Sequence, residues 1–143
     1  MSDRFSNRTP VQRSCLNGKR VLLVDEDCGE LSCLSATLQE RGFEVYRCDS
    51  YAEGLHQLES RSFDFVVVCQ GGPLFQGKPV LERAIEIDRR MPVVVVTRCL
   101  DMKCYVDAMH LGALDYLESP HAPVAIARLI ETHSRPHGAA ASV

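Results

Sequence analysis

Phe65-Val66-Val67-Val68-Cys69-Gln70-Gly71-Gly72-Pro73 is the stretch that decides the architecture of this chain. Its apolar run is short and continuous, and it stops at a glycine- and proline-rich loop. That pattern fits a strand buried on both faces and ending at the rim of a sheet. The rim is where α/β proteins place ligands and catalytic groups. Cys69, which closes the strand, is therefore the first candidate for function.

Towards the N-terminus, Arg20-Val21-Leu22-Leu23-Val24 is a second apolar run, ending in the acids Asp25-Glu26-Asp27. Leu31, Leu34 and Leu38 then recur at helical spacing, with Gly42 as a helix stop. Phe43 to Cys48 reads as a less apolar strand, nearer an edge. Ser50 followed by Glu53 fits a capping box and opens a helix with Ala52, Leu55 and Leu58 as its buried stripe. Towards the C-terminus, a helix is expected over Pro79 to Arg90, with Leu81, Ala84, Ile85 and Ile87 inside and Glu82, Glu86 and Arg89 outside. Pro92 to Thr97 carries four consecutive valines and reads as the most buried strand. Asp101 is placed to cap a helix ending at Gly112. Ala113 to Glu118 is a further strand, and Pro123 suits the first turn of a last helix through about Thr132.

Five short apolar strands alternating with helices require an α/β fold, a five-stranded parallel sheet with helices on both faces. Right-handed crossovers then bring the strand ends at Asp25, Cys69 and Thr97 together. Residues 1–18 are expected to form a flexible basic arm, 19–133 the domain, and 134–143 a fraying tail or linker.

A chain of 143 residues fits one domain with a real core, and 45% hydrophobic with 24% charged residues is ordinary for a globular protein. A net charge of -3 gives no sign of a nucleic-acid surface. The basic arm lacks an apolar stretch, so neither a signal peptide nor a membrane anchor is expected there. The seven cysteines include no Cys-x-x-Cys and none has a histidine at ligand spacing. Reduced thiols and a cytoplasmic setting are the expectation, with Cys33, Cys48, Cys69, Cys99 and Cys104 mostly in or beside apolar runs. His56, His121, His133 and His137 read as solvated; Pro136 breaks the helix that would align the last two.

From about Lys19 to Thr132 the chain resembles the receiver domain of two-component response regulators, a flavodoxin-like fold. Val21-Leu22-Leu23-Val24-Asp25-Glu26-Asp27 looks like that family's first strand and acidic cluster. Pro73 and Gly77 lie four and eight residues beyond Cys69, as in the loop after the family's phosphate-accepting aspartate. Thr97 stands where a threonine or serine closes the fourth strand. Gly112-Ala113-Leu114-Asp115-Tyr116-Leu117 looks like the family's "GA-x-DY-L" segment, and Pro120 fits the proline after its lysine.

Two departures fall on the chemistry: the acceptor aspartate is replaced by Cys69 and the lysine by Ser119. The small residue expected after the threonine is Arg98. In the family, the resemblance implies, the acids and the acceptor hold magnesium, the acceptor takes phosphate from a kinase phosphohistidine, and the lysine neutralises it. Magnesium requires hard oxygen ligands in octahedral geometry, so with a thiol beside Asp25 and Glu26 no metal or other cofactor is expected. Loss of the lysine removes a charge-assisted contact worth about 1.5–3 kcal/mol. The expectation is a degenerate phosphorylation site at Asp25, Glu26, Cys69, Thr97 and Ser119, in a pseudo-receiver that is not an enzyme.

Thr97 and Tyr116 match the family's switch pair, in which the hydroxyl moves toward the phosphate and the ring turns inward. Without a phosphoryl group nothing biases the two positions, so a frozen conformer is expected. Arg98 either satisfies the acids as a bidentate partner or points to solvent. By resemblance the output surface is the face of the fourth helix, fifth strand and fifth helix, around Tyr105, Met109 and Tyr116. Other signalling proteins, a kinase or regulator, or a second copy of the chain would dock there; no membrane or nucleic acid is expected as partner. With no effector domain following, output would depend on another protein or on a C-terminal part absent from the chain. The alternative is a thiol-based redox sensor using Cys69, although a reactive thiolate needs positive charge nearby and Asp25 and Glu26 are negative. A small-molecule binder using the emptied corner is a third reading.

Overall fold

The computed structural model describes residues 18–26, 32–118 and 122–133. Residues 1–17 of the expected arm, the whole expected tail, and Asp27, Leu31, Ser119, Pro120 and His121 lie outside the described residues. Strands and helices alternate as β1 (Arg20–Val24), α1 (Ser32–Glu40), β2 (Glu44–Cys48), α2 (Tyr51–Ser60), β3 (Phe65–Cys69), α3 (Lys78–Ile87), β4 (Val93–Thr97), α4 (Met102–Leu111), β5 (Asp115–Glu118) and α5 (Ala122–His133). The strands form one parallel sheet in the order β2-β1-β3-β4-β5. This is the flavodoxin-like order, and β2 is an edge as its weaker apolar pattern implies. The order reverses between β1 and β3, so a crevice opens where their carboxyl ends diverge.

Period-two alternation divides the strand side chains between two cores. Leu22, Val24, Val66, Val68, Val93 and Val95 face one layer, shared with Leu58, Val80, Leu81, Ala84, Cys104 and Ala108 of α2, α3 and α4. Val21, Leu23, Phe65, Val67, Cys69, Val94 and Val96 face the other, with Leu34 and Leu38 of α1 and Ile126 and Ile130 of α5. Each fully buried aliphatic side chain contributes about 1.5–3 kcal/mol relative to exposure, so the uninterrupted valines are a signature of burial on both faces.

Local chemistry sets the element ends. Ser50 Oγ accepts from the Glu53 N–H at 3.1 Å, but the Glu53 carboxylate accepts from Gln57 Nε2 at 3.0 Å, so only half of the capping box forms. Asp101 caps α4 by accepting from the Cys104 N–H at 3.1 Å, and Gly112 ends it at φ 106°.

Helix α3 stops at Ile87 rather than Arg90 because the Asp88 carboxylate accepts from the Arg90 N–H at 2.9 Å, offering the backbone a turn instead. Ile87 is 45% exposed rather than inward, and Val80 takes the buried place on that helix. Ala52 is likewise exposed; Gly54 is the buried residue, pressed so closely on Val24 that a β-carbon would come within 2.8 Å of its side chain. Among the described cysteines, Cys48, Cys69 and Cys104 are buried, whereas Cys33 and Cys99 are exposed.

Candidate functional site at the carboxyl edge of the sheet

The carboxyl ends of β1, β3 and β4 enclose a cavity of about 630 Å³. Asp25 and Glu26 line it from β1, Cys69 from β3, and Thr97 and Arg98 from β4. The parallel register explains the convergence: Val24 pairs with Val68, and Cys69 with Val96, so the three chains leave the sheet at one level. Asp25 is buried, and its N–H donates to the Cys48 carbonyl at 3.0 Å, continuing the β1–β2 ladder by one residue. Glu26 and Arg98 are exposed on the rim. Ser119 lies outside the described residues.

Cys69 is 9% exposed, with its side chain on the layer that holds α1 and α5. Its carbonyl accepts from the Tyr51 hydroxyl at 3.1 Å. Burial raises the Tyr51 hydroxyl above the usual tyrosine range, with further contributions from the negative charges of Cys69, Glu26 and Asp25. The loop after Cys69 folds back tightly, the Gly77 N–H donating to the Gln70 carbonyl at 3.0 Å. A β-carbon on Gly77 would sit 2.2 Å from the Cys69 carbonyl oxygen, so only glycine allows this return.

Thr97 is buried, and its hydroxyl is occupied locally: it donates to the Cys99 carbonyl at 2.9 Å and accepts from the Cys99 N–H at 3.2 Å. Tyr116, placed by resemblance on the output surface, is 7% exposed. Its hydroxyl donates to Gln70 Oε1 and accepts from the Asp101 N–H at 3.1 Å. Gln70 Nε2 in turn donates to the Gly72 carbonyl at 2.9 Å.

Tyr51, Gln70 and Asp101 therefore belong to this corner although sequence reading gave them no functional part. For Gln70 a signal was present. Alternation along β3 turns it away from the Cys69 side, and a polar residue directly after a fully buried strand needs an internal partner.

Comparison with known proteins agrees with this arrangement. The family model of the response regulator receiver domain matches residues 21–131. The chain belongs to that family.

Among its relatives, the receiver is 30% identical over 115 residues to the transcriptional regulatory protein FixJ of Bradyrhizobium diazoefficiens, covering 80% of this chain and 56% of that one. It is 30% identical over 100 residues to the transcriptional regulatory protein ZraR of Escherichia coli O157:H7, covering 70% of this chain and 23% of the relative. The chain thus spans between about a quarter and just over half of these curated relatives. A solved receiver domain from Methanospirillum hungatei JF-1 superposes with a TM-score of 0.75 at 26% identity, covering 82% of this chain and 94% of that one. This is a response-regulator receiver domain of two-component signalling, and no helix among its described residues is long and apolar enough to cross a membrane.

Proposed function

We propose that this receiver works without aspartyl phosphorylation, as a non-catalytic interaction module in the cytoplasm. The observation that carries the reading is that the residue at the end of β3, lining the cavity that Asp25, Glu26 and Thr97 share, is a cysteine, Cys69. A phosphoryl acceptor of this class is a carboxylate, and the lysine that would neutralise the transferred group is Ser119 in this sequence.

The donor set is also a poor fit for magnesium, which takes hard oxygen ligands at octahedral positions. A thiol is soft, and among the described residues no group of three histidine, cysteine, aspartate or glutamate side chains is arranged to hold a metal. The engaged hydroxyl of Thr97 and the inward ring of Tyr116 support a single fixed conformer.

Output then rests on surface. Met102, Tyr105, Val106 and Met109 form an exposed apolar stripe on α4, at i, i+3, i+4 and i+7 spacing, opposite the buried Cys104 and Ala108. Met102 is 74% exposed. This stripe suits a second copy of the chain or a signalling partner, a kinase or regulator.

The test is NMR of the full chain with magnesium and beryllium fluoride. Amide resonances around Thr97 and Tyr116 are expected to stay in place; saturable shifts there would overturn the reading.

A further inference from the structure

Gln70 carries more hydrogen bonding than a loop residue requires. It is 3% exposed, and its main chain and side chain hydrogen-bond to β4, to β5 and twice within the loop that follows β3. Its N–H donates to the Val96 carbonyl at 2.8 Å, its carbonyl accepts from the Gly77 N–H, and its Nε2 closes the loop onto Gly72. The remaining side-chain atom, Oε1, accepts the proton of the Tyr116 hydroxyl. That hydroxyl accepts in turn from the N–H of Asp101, the residue that caps α4. A second contact runs in parallel, from Cys104 Sγ to the Pro73 carbonyl at 3.6 Å. The Tyr116 ring lies in the core layer and meets Tyr105 edge-on, with centroids 5.7 Å apart and planes at 70°.

We propose that Gln70 is a built-in latch that holds Tyr116 inward and, through Asp101, fixes the start of α4. The inference rests on the phosphate-independent reading and deepens it: an amide acceptor within the chain takes the place of a signal that comes and goes. A ligand shifts an equilibrium only by its differential affinity for the two states. An acceptor covalently fixed to the end of β3 is always present, so it biases the ring permanently toward one position. The bias reaches the exposed stripe because Tyr105, which belongs to that stripe, packs on the latched ring.

The chain has four tyrosines, so fluorotyrosine labelling gives a spectrum of four resonances, with that of Tyr116 identified by its loss in Tyr116→Phe. In the native protein this resonance is expected to resist a soluble paramagnetic relaxant. In Gln70→Leu the ratio of inward to outward Tyr116 should fall by about three- to tenfold, the range for one lost hydrogen bond. The Tyr116 resonance then shifts and broadens with relaxant, and that of Tyr105 moves with it. Gln70→Glu, which keeps an acceptor oxygen at the same reach, should restore protection. A Gln70→Leu spectrum with Tyr116 unmoved and still protected overturns the latch.

Should Gln70→Leu fail to fold, the native protein decides: a slowly exchanging Tyr116 hydroxyl proton with a cross-peak to the Gln70 side-chain amide supports the latch, and its absence overturns it. Failure of the phosphate-independent reading is seen separately, as beryllium fluoride shifts in the native protein whatever the Gln70 variants do.

Discussion

Cys69 has the chemistry of its surroundings more than that of a free thiol. It is buried, and it shares a cavity with the carboxylates Asp25, Glu26 and Asp101. At two further interior cysteines burial acts on the thiol itself: it pushes Cys48 up to about 11, aided by Glu53 and Asp49, and raises Cys104, aided by Asp101. At pH 8 a thiol of pKa 11 is ionised in only about one molecule in a thousand, and the thiolate is the nucleophile. Alkylation at pH 8, followed by peptide mapping, is therefore expected to label Cys33 and Cys99 well before Cys48, Cys69 and Cys104. Rapid labelling of Cys69 would instead favour the thiol sensor over the pseudo-receiver. The identity of Cys69 at the strand end was legible from Phe65 to Pro73 alone. Its carbonyl's bond to Tyr51 was not, because Tyr51 is 18 residues away and reads as the first residue of a helix.

At the scale of elements, α4 has two apolar faces and the sheet can cover only one. Cys104 and Ala108 fill the inner face, leaving Met102, Tyr105, Val106 and Met109 outward. Val106→Lys places a charge on that outer stripe without touching the core, so the fold should survive. If a second copy docks there, sedimentation at increasing concentration should show self-association in the native chain and at least about tenfold weaker association in the variant, as for loss of a central apolar contact. Equal sedimentation of the two would leave a different partner as the stripe's occupant.

The same question of facing separates what could and could not be read in other helices. Leu81 and Ala84 were placed inward correctly, but Ile87 and Ala52 were not. Periodicity gives the angle of a residue about its helix; it does not say where the neighbouring layer ends.

For the molecule as a whole, the buried hydroxyls and thiols predict a stability profile at alkaline pH. Cys48 has an ordinary value of 9.0 and a folded one of about 11. Burial raises Tyr51 and Tyr116 as well. A raised acid keeps its proton in the folded state while the unfolded chain loses it, so the unfolded state binds fewer protons and stability falls as pH increases. This contribution is fully present below pH 9 and is lost as the pH rises through about 11, with the tyrosines extending the loss. Under reducing conditions the urea midpoint is expected to hold up to about pH 9 and then fall. Cys48→Ala should flatten the first part of that fall, and an unchanged slope would remove Cys48 as its cause.

Sequence by itself determined the layers and the order of strands and helices along the chain, because alternation and apolar runs are local and repeat along each element. The meeting of Gln70, Tyr116 and Asp101 was decided only by the tertiary structure. Gln70 and Tyr116 are 46 residues apart, and a single hydrogen bond between two buried side chains leaves no periodic trace. What brings them together is the parallel register that sets β3, β4 and β5 side by side and the core that turns the Tyr116 ring inward.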